Sequence, residues 1–82
     1  MKIEVMGPGC LKCEATERNA RTALVELGLD AEVEHIYDVR EYVRRGVTIT
    51  PALAVDGEVK VAGHVPSVKE LKGLLGRLES SL

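Results

Sequence analysis

Along the first residues Ile3 and Val5 alternate with Lys2, Glu4 and Met6, the period-two pattern of a strand with one face turned inward. Gly7-Pro8-Gly9 then breaks regular structure. From Cys10 to Leu27 the period lengthens to that of a helix. Cys13, Ala20, Leu24 and Leu27 fall on one stripe, while Glu14, Glu17, Arg18, Arg21 and Glu26 lie largely off it. Gly28 supplies the stop. Ala31 to Tyr37 reads as a second strand. Asp38, followed by Glu41, is an N-cap for a short helix over Val39 to Arg45, which Gly46 ends.

Ala52-Leu53-Ala54-Val55, Asp56-Gly57 and Glu58-Val59-Lys60-Val61-Ala62 spell a hairpin, because Asp-Gly tolerates the positive φ angles of a two-residue turn. Ser67-Val68-Lys69-Glu70 is a capping box opening a last helix, with Val68, Leu71, Leu75, Leu78 and Leu82 as its apolar stripe. Gly73 and Gly76 weaken that helix by about 1 kcal/mol each relative to Ala. The predicted order is β-α-β-α-β-β-α. Strands joined through a helix run parallel with a right-handed crossover, and hairpin strands run antiparallel. The pattern therefore predicts an α/β fold, a four-stranded mixed sheet flanked by three helices.

Composition adds bounds. At 82 residues, with no linker, repeat or low-complexity segment, a single domain over 1–82 is expected. The chain is 45% hydrophobic and 29% charged, an ordinary globular composition, and it holds no Trp or Phe, so Val, Leu, Ile and Ala must build the core. The 11 basic and 13 acidic residues are interspersed, for a net charge of -2, without the concentrated positive field that nucleic-acid binding needs. No apolar run is long enough for a signal peptide or a membrane span. A cytoplasmic, monomeric protein without nucleic-acid or membrane partners is expected.

Both cysteines lie in Gly9-Cys10-Leu11-Lys12-Cys13, after a strand and at a helix start. A structural staple is disfavoured: cytoplasmic disulfides are rare, and so small a loop yields little entropic stabilisation. Structural zinc usually needs four ligands, and no second cysteine pair exists; His35 and His64 match no compact zinc spacing. Dithiol exchange suits the position better. Cys10 falls where unsatisfied N–H groups and the positive end of the helix dipole stabilise a thiolate, the nucleophilic form. Cys13, one turn on and in line with Ala20 and Leu24, is the sheltered thiol that resolves a mixed disulfide. Lys12 adds a nearby positive charge, which Glu14 opposes.

With Thr50-Pro51 opening the hairpin and Gly63 after it, the chain resembles the thioredoxin/glutaredoxin superfamily. More closely, its length and Gly7-Pro8-Gly9-Cys10 resemble the small thioredoxin-like redox-active disulfide proteins of bacteria and archaea. The resemblance implies a thioredoxin-like fold and a thiol–disulfide oxidoreductase cycling a Cys10–Cys13 disulfide without a cofactor. It also implies a cis Thr50–Pro51 bond, with Pro51 packed on the cysteine pair. Its partners would be a disulfide-bearing client protein, paired with the backbone of Thr50, and an upstream thiol reductase. Gly9, Lys12, Gly63 and His64 would surround that client. The chain departs from the relatives' patterns around the cysteines, where Gly9 and Leu11-Lys12 replace the Trp and Gly-Pro of thioredoxins.

The alternative is a metal-carrying module, since heavy-metal-associated domains also place Cys-x-x-Cys between a first strand and a first helix, and soft thiolates suit Cu(I). Those domains run β-α-β-β-α-β and finish on a strand, whereas this pattern finishes on the helix from Ser67. Other residues have plain readings beside functional ones. His64 either tunes Cys10 or is a solvated loop histidine. His35 reads as filler on an edge strand. Tyr37 and Tyr42 either line a client surface or pack with the hydroxyl at the rim. Arg40, Arg44 and Arg45 either receive an anionic partner or, the commoner outcome, form a solvated face.

Overall fold

Alternating runs become strands only where neighbours satisfy their backbone groups. The computed structural model describes residues 1–9 and 11–80. Among these the elements are β1 (Lys2–Met6), α1 (Leu11–Leu27), β2 (Glu32–Ile36), α2 (Val39–Arg44), β3 (Ala52–Val55), β4 (Glu58–Ala62) and α3 (Val68–Ser80). The expected order is thus present. The second strand is shorter than Ala31–Tyr37 by a residue at each end, and Arg45 caps α2 rather than extending it. The expected helix start at Cys10, and Leu82 of the last stripe, lie outside the described residues.

The described strands form one four-stranded sheet in the order β2-β1-β3-β4. β1 runs parallel to β2 and antiparallel to β3, and β3 runs antiparallel to β4. The β3–β4 turn carries Asp56 at φ 51 and Gly57 at φ 87, the geometry that Asp-Gly was expected to supply. The register between these strands shifts by one residue past Leu53, leaving Lys60 as the extra residue.

Both faces of the sheet are covered. On one, Ile3, Val5, Leu53 and Val55 pack with Ala20, Ala23 and Leu24 of α1 and with Leu71 and Leu75 of α3. On the other, Met6, Ile36, Ala52 and Ala54 pack with Tyr42 of α2 and with Val47. Asn19 Nδ2 donates to Pro66 O at 2.9 Å, and Lys72 meets Glu26 at 3.0 Å, tying α1 to the α3 side.

The second core corrects one reading. The alternation in β1 suggests an exposed outer face, yet Glu4 is only 4% exposed, with its carboxylate 2.7 Å from Arg45 Nη1. Arg45 is exposed, as expected, and also reaches this buried carboxylate. Its hydrogen bond to Glu4 raises its pKa above the usual arginine value. A buried carboxylate without that partner would be costly. Of the two tyrosines, Tyr42 is buried in the core and Tyr37 is exposed.

The helix ends follow local chemistry. The Asp38 carboxylate accepts from the Arg40 backbone N–H at 3.0 Å and from the Arg40 guanidinium at 3.3 Å. Those two bonds, the side-chain one foremost, hold the Asp38 carboxyl below its ordinary pKa. At α3, Ser67 Oγ accepts from the Glu70 N–H at 3.0 Å, which is half of the expected capping box. The Glu70 carboxylate turns instead to His64 Nε2, at 3.0 and 3.3 Å.

Candidate active site

The register aligns the ends of four strands. Met6 pairs with Ile36 on one side and Ala52 on the other, and Ala52 pairs with Ala62. One row across the sheet thus reads Ile36, Met6, Ala52, Ala62. The next residue beyond each is Tyr37, Gly7, Pro51 or Gly63, so the segments flagged in the sequence leave the sheet side by side. The Gly7 N–H donates to Ile36 O at 3.1 Å, and the Gly63 N–H to Pro51 O at 3.0 Å. The Thr50–Pro51 peptide bond is cis, and Pro51 is buried.

Cys13 lies in the first turn of α1 and is fully buried. Its sulfur occupies the space beside Gly7, where a Cβ added to Gly7 would collide with Cys13 Sγ and stand 3.6 Å from Thr50 Cβ. Gly7 is thus the meeting point of Cys13 and the Thr50-Pro51 segment. Cys10 lies outside the described residues, but both its chain neighbours are described. Gly9 adopts φ +87, a conformation that side chains disfavour, and the edge of the Tyr37 ring lies where its Cβ would be, at 3.0 and 3.2 Å. Leu11 is 83% exposed, and Lys12 is exposed as well.

Thr50 is half-buried, Gly63 is exposed against the Ile49 side chain, and His64 is exposed with its Nε2 facing Glu70. The structure thus gathers Cys13, Gly9, Thr50, Pro51 and Gly63 at one end of the sheet. Three participants escaped the sequence reading. Gly7 could have been found from the two glycines preceding the pair. Ile49, 60% exposed beside Gly63, adds apolar surface next to Thr50. His35 is not mere filler. Its ring stacks on Tyr37 with centroids 3.9 Å apart and planes 4° from parallel, and its Nε2 lies 3.2 Å from Gly7 O.

An open cleft of about 310 Å³ lies elsewhere, between the end of α1 and the start of β2, lined by Leu24, Val25 and Leu29. It opens at the opposite end of β2 from Ile36 and takes no part in the site. Among the described residues no helix is long and apolar enough to cross a membrane. The described order finishes on α3, which departs from the strand-terminated order of the metal-carrying domains.

Comparison with known proteins gives the same answer. A family model described as a thioredoxin domain matches residues 1–76. A thioredoxin of Methanothermobacter thermautotrophicus is 48% identical over 75 residues, which cover 92% of this chain and 97% of that protein. A thioredoxin of Methanocaldococcus jannaschii is 41% identical over 70 residues, covering 85% of this chain and 80% of that protein. With its mixed sheet, its helices on both faces and these matches along nearly its whole length, the chain belongs to the thioredoxin-domain family.

Proposed function

We propose that Cys10 and Cys13 are the dithiol through which this thiol–disulfide oxidoreductase works. The observation that carries the reading is the placement of Cys13. It is a buried sulfur three residues past Cys10 in the chain, packed on Gly7 beside Thr50. In the reductive direction the Cys10 thiolate attacks one sulfur of a client disulfide. A Cys10–client disulfide forms, and the other client sulfur leaves as a thiolate. Cys13 then gives up its proton and attacks Cys10 Sγ. The Cys10–Cys13 disulfide forms and the second client sulfur is released. The client has gained two electrons and two protons; an upstream dithiol reductant returns them to the pair.

Asymmetry between the thiols gives the cycle its order. The first N–H groups of α1 have no partner within the helix and favour an anion at its start. Burial keeps Cys13 from competing for the client. Thr50, beside the pair, offers backbone groups to an extended client segment. Gly9, Lys12, Gly63 and His64 line the approach, and Pro51 closes it from the β3 side. We assign the cycle to one monomeric domain over 1–82 in the cytoplasm, where reductants regenerate dithiols.

The test is a pair of variants with a disulfide-bearing protein such as insulin. Cys10→Ser is expected to abolish reduction, and Cys13→Ser to accumulate a mixed disulfide visible by intact mass. Full reductase activity in Cys10→Ser would overturn the assignment.

A further inference from the structure

The Gly7-Pro8-Gly9 segment hands the chain from β1 to Cys10, yet two of its three residues are glycines with wide backbone freedom. Such a segment holds one conformation only where its surroundings impose it. The last residues of β2 and the one after supply three restraints. Ile36 O accepts the Gly7 N–H at 3.1 Å, continuing the ladder. His35 Nε2 lies 3.2 Å from Gly7 O. A carbonyl oxygen only accepts, so this ring nitrogen carries the proton and donates. The His35 ring in turn stacks flat on Tyr37, whose edge lies over Gly9.

Tyr37 is unusual among the large side chains. It is 62% exposed yet held between a stacking partner and a glycine whose positive φ brings the backbone close. Its neighbour in sequence, Ile36, is buried in the core beneath α2, so the strand end that carries the stack is itself anchored. The two rings therefore grip the loop at both ends, His35 at Gly7 and Tyr37 at Gly9, one bond before Cys10.

We propose that His35 and Tyr37 are positioning residues for the thiol chemistry: a stacked pair at the end of β2 that clamps the Gly7–Gly9 loop and so sets the reactivity of the Cys10 thiol that follows it. This rests on the reading of Cys10 as the attacking thiol. Freeing the loop removes the rigid lead into the helix start, where unpaired N–H groups favour a thiolate, so both the thiolate fraction and the rate of attack fall. Neither residue touches the client disulfide in this scheme.

The experiment measures the rate of iodoacetamide alkylation at Cys10 against pH in the reduced full chain, with peptide mass separating Cys10 from Cys13. In the parent protein Cys10 should react with a thiolate titration below the ordinary cysteine value of about 8.5. His35→Ala should slow Cys10 at neutral pH by roughly fivefold, the weight of one hydrogen bond, and move the titration upward. His35→Gln, whose amide can still donate to Gly7 O, should recover most of the rate. Tyr37→Ala should behave like His35→Ala, whereas Tyr37→Phe keeps the stack and should match the parent. Thermal unfolding run in parallel separates these effects from loss of fold, because the Gln rescue must appear at equal stability. A fast Cys10 that is indifferent to His35→Ala, or equally slow in the Ala and Gln variants, overturns the clamp alone. A parent Cys10 that reacts no faster than an ordinary thiol overturns the clamp and the assignment of Cys10 together.

Discussion

Gly7 offers a measurement in which one substitution should change sign with its background. The position has no positive φ, so alanine can adopt its backbone conformation without strain. Replacing Gly by Ala at such a site ordinarily stabilises by about 0.4–1 kcal/mol, because the unfolded chain loses freedom. In this fold the added methyl would collide with Cys13 Sγ, a fully buried atom with little room to move. Overpacking of that kind costs about 1–3 kcal/mol. The other neighbours of the new carbon, Cys13 Cβ at 3.4 Å and Thr50 Cβ at 3.6 Å, are ordinary contacts. The penalty thus belongs to the sulfur.

Gly7→Ala should therefore destabilise the parent protein by roughly 1–2 kcal/mol, the clash less the entropic gain. In a Cys13→Ala background, which removes the sulfur, the same change should stabilise by a few tenths of a kcal/mol up to about 1. For a domain of this size each kcal/mol moves the thermal midpoint by about 4–8 °C. The four proteins would be unfolded in urea and by heat, followed by circular dichroism, with dithiothreitol keeping the thiols reduced. Equal destabilisation by Gly7→Ala in both backgrounds would refute the packing of Cys13 Sγ on Gly7, and with it the observation on which the proposed site rests.

Arg45→Met should remove the cation from the buried Glu4 carboxylate and cost about 3 kcal/mol, the lower end for breaking a buried pair, since Arg45 is partly exposed. Adding Glu4→Gln should return part of the loss, and urea midpoints for the two variants would show whether it does. A second expectation concerns acid. Because hydrogen bonds from Arg40 lower the Asp38 carboxyl in the folded chain, its contribution is fully present above the ordinary carboxylate range and lost as pH falls through the lowered value. Asp38→Asn keeps a capping side chain but removes that titration. Its melting temperature should decline less steeply than the parent's from about pH 5 to pH 2, and parallel curves would refute the linkage.

The elements legible in the sequence are those decided by near neighbours. Asp38 caps α2 through a residue two positions on, Ser67 caps α3 through one three positions on, and Asp56-Gly57 turns the hairpin through its own dihedrals. Glu4 could not be read this way. Its burial depends on Arg45, a residue that reaches it only once α2 has been folded across the sheet. The same holds for the two tyrosines, whose fates are set by which one meets the second core. At the site, the spacing of the cysteines pointed to the chemistry, and the family resemblance supplied the expectation of a cis Thr50–Pro51 bond. The stack of His35 on Tyr37 and the bond to Gly7 O were invisible, because they depend on the parallel register that sets Val5 beside His35.

The antiparallel register of β3 on β1 is a product of side-chain size. β3 carries Leu53 and Val55 toward α1 and α3, and Ala52 and Ala54 toward Tyr42 and Val47. A slip by one residue would turn every side chain of the strand to the opposite face. Leu53 and Val55 would then be forced under α2 where alanines now fit, and the larger core would be left with two alanines in their place. Both faces would suffer, by about 1–3 kcal/mol for the overpacking and about 2–5 kcal/mol for each void left by a leucine-sized side chain. The penalty holds Ala52 opposite Met6, and hence Pro51 beside Gly7 and Gly63 beside Pro51. The alternation of large and small residues in a four-residue strand therefore does more than fill two cores. It sets the distance between the Thr50-Pro51 segment and the Cys13 sulfur.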